Sequence, residues 1–390
     1  MGAENITSIH VNESGAPTGG AERYLIALHQ SLEQSGNPAI LVYSRNEPET
    51  YAPAGKTFFL SEVDSEGTAA GFLNLIRKQS PKVIHFHNAG NPGVISQTAI
   101  AKPSLRTVHD SRLFCPMEFR NKKDGALCRE AAGPGCLICM DEFGLDQNEA
   151  VAKLSQSLKS IEAAKQLAII LAPSNYIREQ LLLNGLNEEK IVVLPHYLLN
   201  EINHEPLSNQ AETTDLLFVG RVVKPKGLHL LLESMAQLPE TTSLTVVGDG
   251  PDLNANKNLA LAFGLEKRVN FIGWVDPKKV NQYYQQARIL VVPSMFPEAF
   301  GLVGLEAMAN AKPVVAFDSG GINQWLVDGA NGFFATRGDT ASLTEKLSHL
   351  LSDQPMRESF GKQGFQMLQE QFTQKTHMAK LLTIYQEITN

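Results

Sequence analysis

Short apolar runs alternate along the chain with longer segments in which apolar residues recur every three or four positions. The runs at 6–11, 39–43 and 83–87 contain no Asp, Glu, Lys or Arg, as expected for strands that are covered on both faces. The periodic segment at 21–34 predicts an amphipathic helix that ends at Gly36. Because such strands and helices alternate, the pattern predicts βαβ units and a parallel sheet. The predicted strands are 6–11, 39–43, 83–87, 105–109, 168–172, 191–194, 216–219, 243–247, 269–272, 289–292 and 313–316. The predicted helices are 21–34, 72–79, 150–164, 175–184, 228–235 and 373–388, with others between the later strands.

A polar stretch at 199–214, which contains Pro206, interrupts this rhythm and is typical of a linker. The alternation then restarts, so the pattern predicts two doubly wound α/β domains, at 1–199 and 200–372, facing each other across a cleft. We expect the last segment, 373–390, to form a helix that packs back on the first domain. Ligands of doubly wound folds bind beyond the carboxyl ends of the strands, so the loops after each strand are the candidate sites.

Composition narrows the classes of function. The 390 residues are 43% hydrophobic and 19% charged, so each domain can bury a full core and a mainly disordered chain is excluded. Lys and Arg total 34 against 41 Asp and Glu, and the resulting net charge of −7 disfavours a nucleic-acid-binding face. Residues 1–15 lack the apolar run of a signal peptide, and no run reaches the ~18–20 apolar residues of a membrane span. We therefore expect a cytoplasmic protein and leave peripheral contact with the inner face of a membrane open.

Two glycines, Gly19 and Gly20, follow the first predicted strand and precede the first predicted helix. Glycine lets the backbone approach a ligand closely, and a helix N-terminus attracts anions. The pair is therefore a candidate phosphate site, although a plain strand-to-helix turn explains the same residues.

Two cations follow the strand predicted at 216–219. Arg221 comes directly after Gly220, and Lys226 precedes Gly227. A guanidinium fork and an ammonium point charge at the carboxyl end of a strand can hold a diphosphate. Solvated surface charge is the alternative interpretation.

Two glutamates lie in the apolar segment 296–309. Glu298 is in the loop after the strand predicted at 289–292, and Glu306 lies one to two turns inside a helix that Phe300 and Gly301 open. Burying a carboxylate is costly unless it has a partner. A ligand hydroxyl is one such partner, and an internal arginine or backbone amides are the others. The amides of residues 300–302 at the start of the helix would also point at a ligand.

Histidines end two predicted strands of the first domain. His85 and His87 are two residues apart in one strand and therefore share a face, and His109 with Asp110 ends the next strand. The carboxyl ends of parallel strands meet at the ligand-binding edge, which makes these histidines candidate site residues. A structural role in the core is the alternative.

Taken in order along the chain, these motifs resemble the retaining glycosyltransferases of family 4, group 1, whose fold class is α/β with the two-domain GT-B architecture. The resemblance rests on Gly19-Gly20-Ala21-Glu22-Arg23, His85-Phe86-His87, His109-Asp110, Gly220-Arg221 to Lys226-Gly227, Val246 to Pro251, and Glu298 to Glu306. The spacing of the two glutamates, with seven residues between them, is the most specific of these motifs. The fold implied is two facing Rossmann-like domains with an interdomain cleft.

The resemblance also implies a function, which is transfer of a sugar from a nucleoside-diphosphate sugar, a UDP- or GDP-sugar, with retention of its anomeric configuration. The acceptor would be a glycan, a lipid-linked molecule or a small molecule, in the synthesis of a surface polysaccharide or another glycoconjugate. The sequence contains no Asp-x-Asp motif, so we expect cations of the protein to replace a divalent metal. A front-face mechanism, in which the donor phosphate takes the acceptor proton, is implied as well.

The resemblance assigns roles to particular residues. Arg221 and Lys226 would neutralise the diphosphate, and Glu306 would accept hydrogen bonds from the ribose. Glu298 would hold the transferred sugar, and His109 would contact that sugar near the reacting carbon. The remaining implied contacts are the amides of Phe300, Gly301 and Leu302 on the sugar and the loop of Gly19 and Gly20, which would close over the phosphates and the acceptor.

The chain departs from the family pattern in three places. His196 and Tyr197 stand where Asn-Gly is usual, Ala311 stands at a usual glycine, and Gln324 stands at a usual glutamate, beside Trp325. These departures leave the donor-site glutamates and cations in place, but they leave the base and the sugar of the donor undetermined.

All four cysteines, Cys115, Cys128, Cys136 and Cys139, fall in one insert at about 111–145. The last pair has the CxxC spacing common at zinc and iron–sulfur sites, and we predict a structural zinc or iron–sulfur cluster here. Disulfides, a redox switch and unliganded thiols are the alternatives, and stable disulfides are disfavoured in a cytoplasmic chain. Because the insert follows His109 and Asp110, we expect it to shape the acceptor site.

Two further functions compete with the transferase. One is a sugar-nucleotide epimerase or hydrolase of the same architecture, and the other is a non-catalytic nucleotide-sugar-binding scaffold. The intact set of candidate residues argues against the scaffold. The oligomeric state is not indicated by the sequence.

Overall fold

The computed structural model describes residues 6–17, 19–65, 68–199 and 213–390. They form two compact units. Unit 1 holds the described residues up to Leu199 together with Gln374–Asn390, and unit 2 holds the described residues that follow, up to Thr373. Each unit is built around one parallel sheet with helices packed against it.

Unit 1 contains a seven-stranded sheet in the order β3-β2-β1-β4-β5-β6-β7. Its strands are β1 Ser8–Asn12, β2 Ala39–Tyr43, β3 Thr57–Phe59, β4 Val83–Phe86, β5 Ser104–Thr107, β6 Ile169–Ala172 and β7 Ile191–Val193. Its helices are α1 Gly20–Gln34, α2 Ala70–Gln79, α3 Pro92–Ala101, α4 Gly135–Glu142, α5 Gln147–Lys165 and α6 Asn175–Leu183. In the centre, Ile9 of β1 lies between Ile40 of β2 and Ile84 of β4, and Ile9 and Ile84 are fully buried.

The last helix of the chain, Gln374–Thr389, belongs to unit 1. Its apolar residues recur at helical spacing, so they form one face. Leu381 and Tyr385 on that face are fully buried, in a core that they share with Tyr24 and Leu28 of α1. The end of the chain therefore completes the core of the unit in which the chain begins.

Unit 2 contains a six-stranded sheet in the order β10-β9-β8-β11-β12-β13. Its strands are β8 Thr214–Val219, β9 Leu244–Val247, β10 Val269–Gly273, β11 Ala287–Val292, β12 Val314–Phe317 and β13 Gly332–Ala335. Its helices are α7 Leu228–Met235, α8 Leu253–Ala262, α9 Asn281–Gln286, α10 Leu302–Ala309, α11 Thr340–Ser352 and α12 Gln354–Gln371, which makes the last helix of the chain α13. Buried leucines of α7 and α11 cover the sheet.

The strand orders confirm the predicted fold class. In each sheet the order reverses once, between β1 and β4 in unit 1 and between β8 and β11 in unit 2, as in doubly wound Rossmann-like domains. Every predicted strand is present, with bounds shifted by up to two residues at most ends. The strands β3 and β13, at the ends of the two sheet orders, were not predicted. The predicted linker lies outside the described residues except at its ends, where Thr214 already belongs to β8.

Gly227 fixes the loop that carries Lys226. Its φ of +73° is left-handed, and a Cβ atom at this position would lie 1.8 Å from the carbonyl oxygen of Pro293. We expect Gly227→Ala to destabilise the fold by about 3 kcal/mol, since backbone strain and a clash with the main chain add together. Urea-induced unfolding measures this loss.

Gly264→Ala is the matched control for this prediction. Gly264 also has a left-handed φ, +66°, but nothing lies within 4 Å of the added Cβ. Strain alone should cost about 1 kcal/mol. Equal losses in the two variants would show that the contact with Pro293 is unimportant.

Candidate functional site

The loop after β8 presents Arg221 at the carboxyl end of the sheet in unit 2. Two glycines allow the neighbouring loop to approach it, because a Cβ at Gly248 would lie 1.9 Å from the Gly220 oxygen and one at Gly250 would lie 2.3 Å from the Val222 oxygen. The Val222 amide donates a 2.8 Å hydrogen bond across this contact. The loop is therefore held by backbone packing. The Arg221 side chain is exposed and forms no ion pair with any described residue.

Lys226 and Glu298 form an ion pair in unit 2. The Lys226 ammonium lies 2.7 Å from Oε1 of Glu298, and the Ser294 hydroxyl donates to the same oxygen at 2.6 Å. Lys226 also lies 4.9 Å from the centroid of the Phe296 ring. Glu298 is 7% exposed, so its carboxylate has the cationic and hydroxyl partners that burial requires. The pair joins the loop after β8 to the loop after β11.

The backbone of Glu298 is fixed from the other side by the loop after β12. Glu298 pairs with Gly320 in a parallel bridge, and the Gly321 amide donates to the Glu298 oxygen at 2.6 Å. Gly320 has a φ of +67°, and a Cβ there would lie 2.5 Å from that oxygen. Glycine at 320 is thus needed to place Glu298.

The predicted turn into a helix at Phe300 and Gly301 is present. Gly301 has a φ of +86° and caps α10, which begins at Leu302. The first amides of a helix have no carbonyl partner within it, so the start of α10 offers donors to a ligand. Trp325 holds this turn, since its indole nitrogen donates to the Phe300 oxygen at 2.6 Å. The close fit needs Gly304, where a Cβ would lie 2.4 Å from the indole ring.

Glu306 lies in the first turns of α10 and has a partner within the protein. The Tyr284 hydroxyl of α9 donates to its Oε2 at 2.7 Å. A phenol was not among the partners considered from the sequence. A carboxylate with two oxygens accepts several hydrogen bonds, so the contact with Tyr284 orients Glu306 and is compatible with a further donor.

Gly19 and Gly20 begin α1 as predicted, with Gly19 at the cap position. The carboxylate of Glu22 lies over this turn, because a Cβ at Gly19 would be 2.4 Å from its Oε2. Burial raises the pKa of Glu22, and a hydrogen bond from its own backbone amide opposes that rise. The helix N-terminus thus already has an acidic side chain beside it, and an anionic ligand would have to compete with it.

A chain of imidazoles leads to His109 in unit 1. His10 Nδ1 lies 3.2 Å from His87 Nε2, and His87 Nδ1 lies 2.9 Å from His109 Nε2. The Ser8 hydroxyl ends the chain at 3.0 Å from His10 Nε2. At the other end, the buried Nδ1 of His109 has no hydrogen-bond partner among the described residues. His109 therefore uses Nε2 in the network, and its Nδ1 is available to bond to a group outside the network.

Burial keeps these rings neutral. It lowers the pKa of His10 to about 3 and that of His109 to about 4, and it lowers the pKa of His87 well below 6.5. Near His109, the charges of Arg106 and Arg112 act in the same direction as burial, whereas Asp110 opposes them. A neutral imidazole carries one donor and one acceptor nitrogen, so neighbours along the chain fix each other's tautomer.

Further aromatic and imidazole rings surround this chain, and the sequence did not single most of them out. His196, noted only as a departure from the family pattern, stacks on His109 at 5.3 Å. Tyr24 lies 5.3 Å from His109 and its hydroxyl contacts His377 Nε2 at 2.8 Å. His85 faces the core, where its ring contacts Tyr385 and Thr107. The alternative considered for His85, a structural role, fits these contacts.

The rings of His10, His85 and His87 lie close enough for one nitrogen of each to reach a common point, with these nitrogens within 4.8 Å of one another. All six ring nitrogens nevertheless have hydrogen-bond contacts to neighbouring side chains. A metal would have to replace those contacts. We therefore interpret the cluster as a hydrogen-bond network.

The four cysteines line one cavity of about 260 Å³ in unit 1. All four are free thiols, and Cys115 is the buried one. No three of their sulfurs lie within 4.8 Å of one another in the described part of the chain. The cysteines are thus gathered at one place, but not as tightly as around a single ion.

The predicted site residues fall into four groups. In unit 2 the structure brings Lys226 directly onto Glu298, with Arg221 and Glu306 on the adjoining loop and helix. In unit 1 His109 ends the imidazole chain, and the cysteine cavity lies in the insert that follows it. Gly19 and Gly20 begin α1. Sequence reasoning missed Tyr284 and Ser294, since a single Tyr or Ser carries no motif.

Two family models match the chain side by side. Residues 18–197 match the model described as "Glycosyltransferase Family 4", and residues 200–367 match "Glycosyl transferases group 1". Together they include every candidate site residue named above. The chain belongs to the family 4, group 1 glycosyltransferases. The glycosyltransferase thus combines a family 4 N-terminal unit with a group 1 C-terminal unit, and each contains one of the parallel sheets.

Related proteins carry the same description. An uncharacterized glycosyltransferase of Methanocaldococcus jannaschii is 29% identical over 221 residues, which are 57% of this chain and 60% of that protein. A lipopolysaccharide core biosynthesis glycosyltransferase, LpsE of Rhizobium meliloti, is 30% identical over 174 residues, or 45% of this chain and 50% of that protein. The matched region thus spans about half the length of such curated relatives.

Solved structures share the fold of the glycosyltransferase. The Anabaena protein HepE, solved in complex with UDP and glucose, superposes with a TM-score of 0.73 at 19% identity, over 98% of this chain and 100% of that one. At this identity the match establishes the GT-B fold. In the described residues, no helix is both long and apolar enough to cross a membrane.

Proposed function

We propose that the glycosyltransferase moves a sugar from a nucleoside-diphosphate sugar to a glycan, lipid-linked or small-molecule acceptor, with retention and without a divalent metal. The observation that carries the proposal is the contact of Lys226 with Glu298 at the carboxyl ends of β8 and β11. It supports the proposal because an ammonium can bind phosphate and a carboxylate can bind sugar hydroxyls, and the two lie side by side at the edge of a doubly wound sheet where ligands bind.

Charge supports a diphosphate at this edge. Glu298 neutralises Lys226, so the exposed Arg221 supplies the surplus positive charge. An ammonium has three donors, of which Glu298 takes one, and a guanidinium can bind two phosphate oxygens together. These two cations take the role that a divalent ion has in other phosphate sites.

Glu298 and Glu306 bind the two parts of the donor other than the diphosphate, which are the transferred sugar and the ribose. Glu298, fixed by Ser294 and Gly321, accepts hydrogen bonds from hydroxyls of the transferred sugar, and the amides at the start of α10 donate to the same sugar. Glu306, oriented by Tyr284, accepts hydrogen bonds from the ribose. We propose a UDP-sugar as the donor, and the support is that HepE, with the same fold, was solved with UDP and glucose.

The proposed transfer exchanges one C–O bond for another on the same face of the sugar. The bond from the anomeric carbon to the diphosphate breaks, and a bond to the acceptor oxygen forms. The acceptor proton moves to the departing phosphate oxygen, so the products are the glycoside and the nucleoside diphosphate. Stabilising the charge that develops on the diphosphate is the main electrostatic task, and Arg221 and Lys226 perform it.

His109 would contact the sugar near the reacting carbon through its outward nitrogen. Its neutral state, which burial enforces, suits hydrogen bonding better than proton transfer near pH 7. The contacts of Gly19 and Gly20 with the phosphates and the acceptor stay predictions, as does the association of the protein with the inner face of a membrane. LpsE acts in lipopolysaccharide core synthesis, which supports a lipid-linked glycan as the acceptor here.

Calorimetric titration with UDP in the presence of EDTA tests the donor site. We expect binding by the wild type and about tenfold weaker binding by Arg221→Ala, because a charged, two-point contact with phosphate is lost. Lys257→Ala, which removes an exposed cation of the same unit on α8, is the control and should bind UDP as the wild type does. If both variants weaken UDP binding equally, Arg221 contributes only through the overall positive charge of the unit and not through direct contact with phosphate.

A further inference from the structure

The cavity lined by the four cysteines is not explained by sugar transfer. It lies in the insert between β5 and α5 of unit 1. Its lining combines the thiols with a buried arginine, Arg120, and with apolar side chains such as Phe114. An inference about it is independent of the donor site in unit 2.

Local structure brings the four sulfurs together from three segments. Cys115 follows the short 3₁₀ turn Ser111–Leu113, and Cys128 follows a bridge between Asn121 and Leu127. Cys136 and Cys139 are three residues apart on α4 and therefore lie on one face of it. The neighbouring thiols Cys128, Cys115 and Cys136 lie near enough to Cys139 to add to the rise in its pKa that burial causes.

Arg120 places a buried cation beside these sulfurs. It is 2% exposed, and its guanidinium donates to the Glu130 backbone oxygen at 2.7 Å and to the side-chain oxygen of Gln180. Its buried Nε has no partner, and the guanidinium forms no ion pair with a described carboxylate. The nearest carboxylate, Glu130, is close enough for the charge of Arg120 to help lower its pKa, but it forms its ion pair with Lys122. Because a buried cation is costly, an anion in the cavity would stabilise Arg120 further.

Backbone amides surround the sulfur of Cys115. The amides of Met117 and Arg120 lie within hydrogen-bond reach of it. Amide hydrogen bonds to sulfur are a means by which proteins tune metal-bound thiolates. The segment after Cys115 thus offers amide donors to a metal-bound sulfur.

The distances between the sulfurs distinguish a site for one zinc ion from a site for an iron–sulfur cluster. Around one zinc ion, with Zn–S bonds of about 2.3 Å, the sulfurs would lie roughly 3.8 Å apart. Here no three sulfurs of the described residues lie within 4.8 Å of one another, although all four share one cavity. In an iron–sulfur cluster the thiolates bind different irons that sulfide bridges, so the sulfurs are farther apart.

We propose that Cys115, Cys128, Cys136 and Cys139 bind an iron–sulfur cluster, with Arg120 as its counter-charge. Each thiol gives up its proton on binding, and the four thiolates ligate the irons. The cluster is structural, because the insert has little apolar core of its own. Met140 of α4 is buried against Leu154 of α5, whereas most residues of 121–139 are half-buried or exposed. Small segments of this kind are commonly held by metals.

Metal and sulfide analysis of the full chain purified without oxygen tests the proposal. We expect about two to four irons per chain with a matching amount of acid-labile sulfide, and visible absorption that bleaches on reduction. Cys136→Ser and Cys139→Ser should lose most of the iron and the absorption. Asp141→Ser is the matched control, since this exposed residue lies on α4 with the two cysteines but does not line the cavity, and it should keep the iron.

The outcomes are distinct from those for the donor site, which UDP titration measures separately. One zinc per chain without sulfide would overturn the cluster, as would metal-free wild-type protein. Iron retained by both serine variants would overturn the assignment of ligands. If the serine variants do not fold, as judged by circular dichroism, the iron and sulfide content of the wild type decides alone.

Discussion

Replacing Glu298 by glutamine is expected to lower kcat/KM for sugar transfer about 10²–10³-fold, while the affinity for UDP changes much less. The carboxylate lies 2.7 Å from the Lys226 ammonium and accepts a hydrogen bond from Ser294. Glutamine keeps the size of the side chain but removes its charge, so Lys226 loses its partner and the sugar loses its strongest acceptor. UDP carries no transferred sugar, and its binding therefore reports on the rest of the site. Steady-state release of UDP measures the first effect and calorimetry the second.

Glu266→Gln is the matched control for Glu298→Gln. Glu266 is an exposed carboxylate of the same unit, so its loss changes the net charge equally without touching the site. We expect wild-type transfer from this variant. If Glu298→Gln transfers sugar at the wild-type rate, Glu298 is not part of the site. If its affinity for UDP falls as much as its kcat/KM, Glu298 acts on the nucleotide and not on the sugar.

Acidification is expected to destabilise unit 1 below about pH 6.5. Burial lowers the pKa of His10 to about 3 and the pKa values of His109 and His377 to about 4. These histidines bind protons in the unfolded chain near their ordinary pKa of 6.5, whereas in the folded protein they stay neutral until the pH is far lower. Each one therefore costs about 1 kcal/mol of stability between pH 6.5 and 5.5, and the three together cost about 3 kcal/mol.

Urea-induced unfolding at pH 7.5, 6.5 and 5.5 measures this dependence. His377→Asn removes one of the three groups, so it should reduce the loss between pH 6.5 and 5.5 by about 1 kcal/mol, whatever its effect on stability at pH 7.5. His349→Asn, at a residue of α11 in unit 2, is the control and should keep the wild-type slope. Identical slopes in all three proteins would show that His377 is not held neutral by the fold.

The sequence predicted the sheets and the donor-site residues for a physical reason. Strands covered on both faces are apolar runs that stand out locally, and Arg221, Lys226, Glu298 and Glu306 occur at fixed distances after such runs. The positions of β8 and β11 in the sheet then bring two of these residues, Lys226 and Glu298, into contact. Local pattern and topology together are sufficient for this part of the site.

The residues that orient the site could not be predicted in this way. Tyr284 contacts Glu306 from a different helix, and His196 stacks on His109 from far along the chain. Such contacts depend on tertiary packing, for which one Tyr or His gives no local signal. Trp325 was noted only as the neighbour of Gln324, which departs from the family pattern. In the structure its indole nitrogen donates a hydrogen bond to the Phe300 carbonyl.

The backbone conformation of Ala311 explains why glycine is usual at this position. The φ of Ala311 is +51°, a conformation that glycine adopts without strain. The sequence indicated that the residue was unusual, but only the backbone shows that alanine is strained there. The cysteines are similar, because their spacing predicted a metal site, whereas only the structure shows that all four line one cavity and that, among the described residues, no three of their sulfurs lie within 4.8 Å of one another.

Product analysis by NMR tests the central proposal most directly. Wild-type protein in EDTA is given a panel of α-linked UDP-sugars with candidate glycan and lipid-linked acceptors, and the anomeric configuration of the product and the amount of free UDP are recorded. We expect one UDP for each α-linked product, and no UDP without an acceptor. Inverted product, a requirement for a divalent metal, or release of UDP without any acceptor would contradict it.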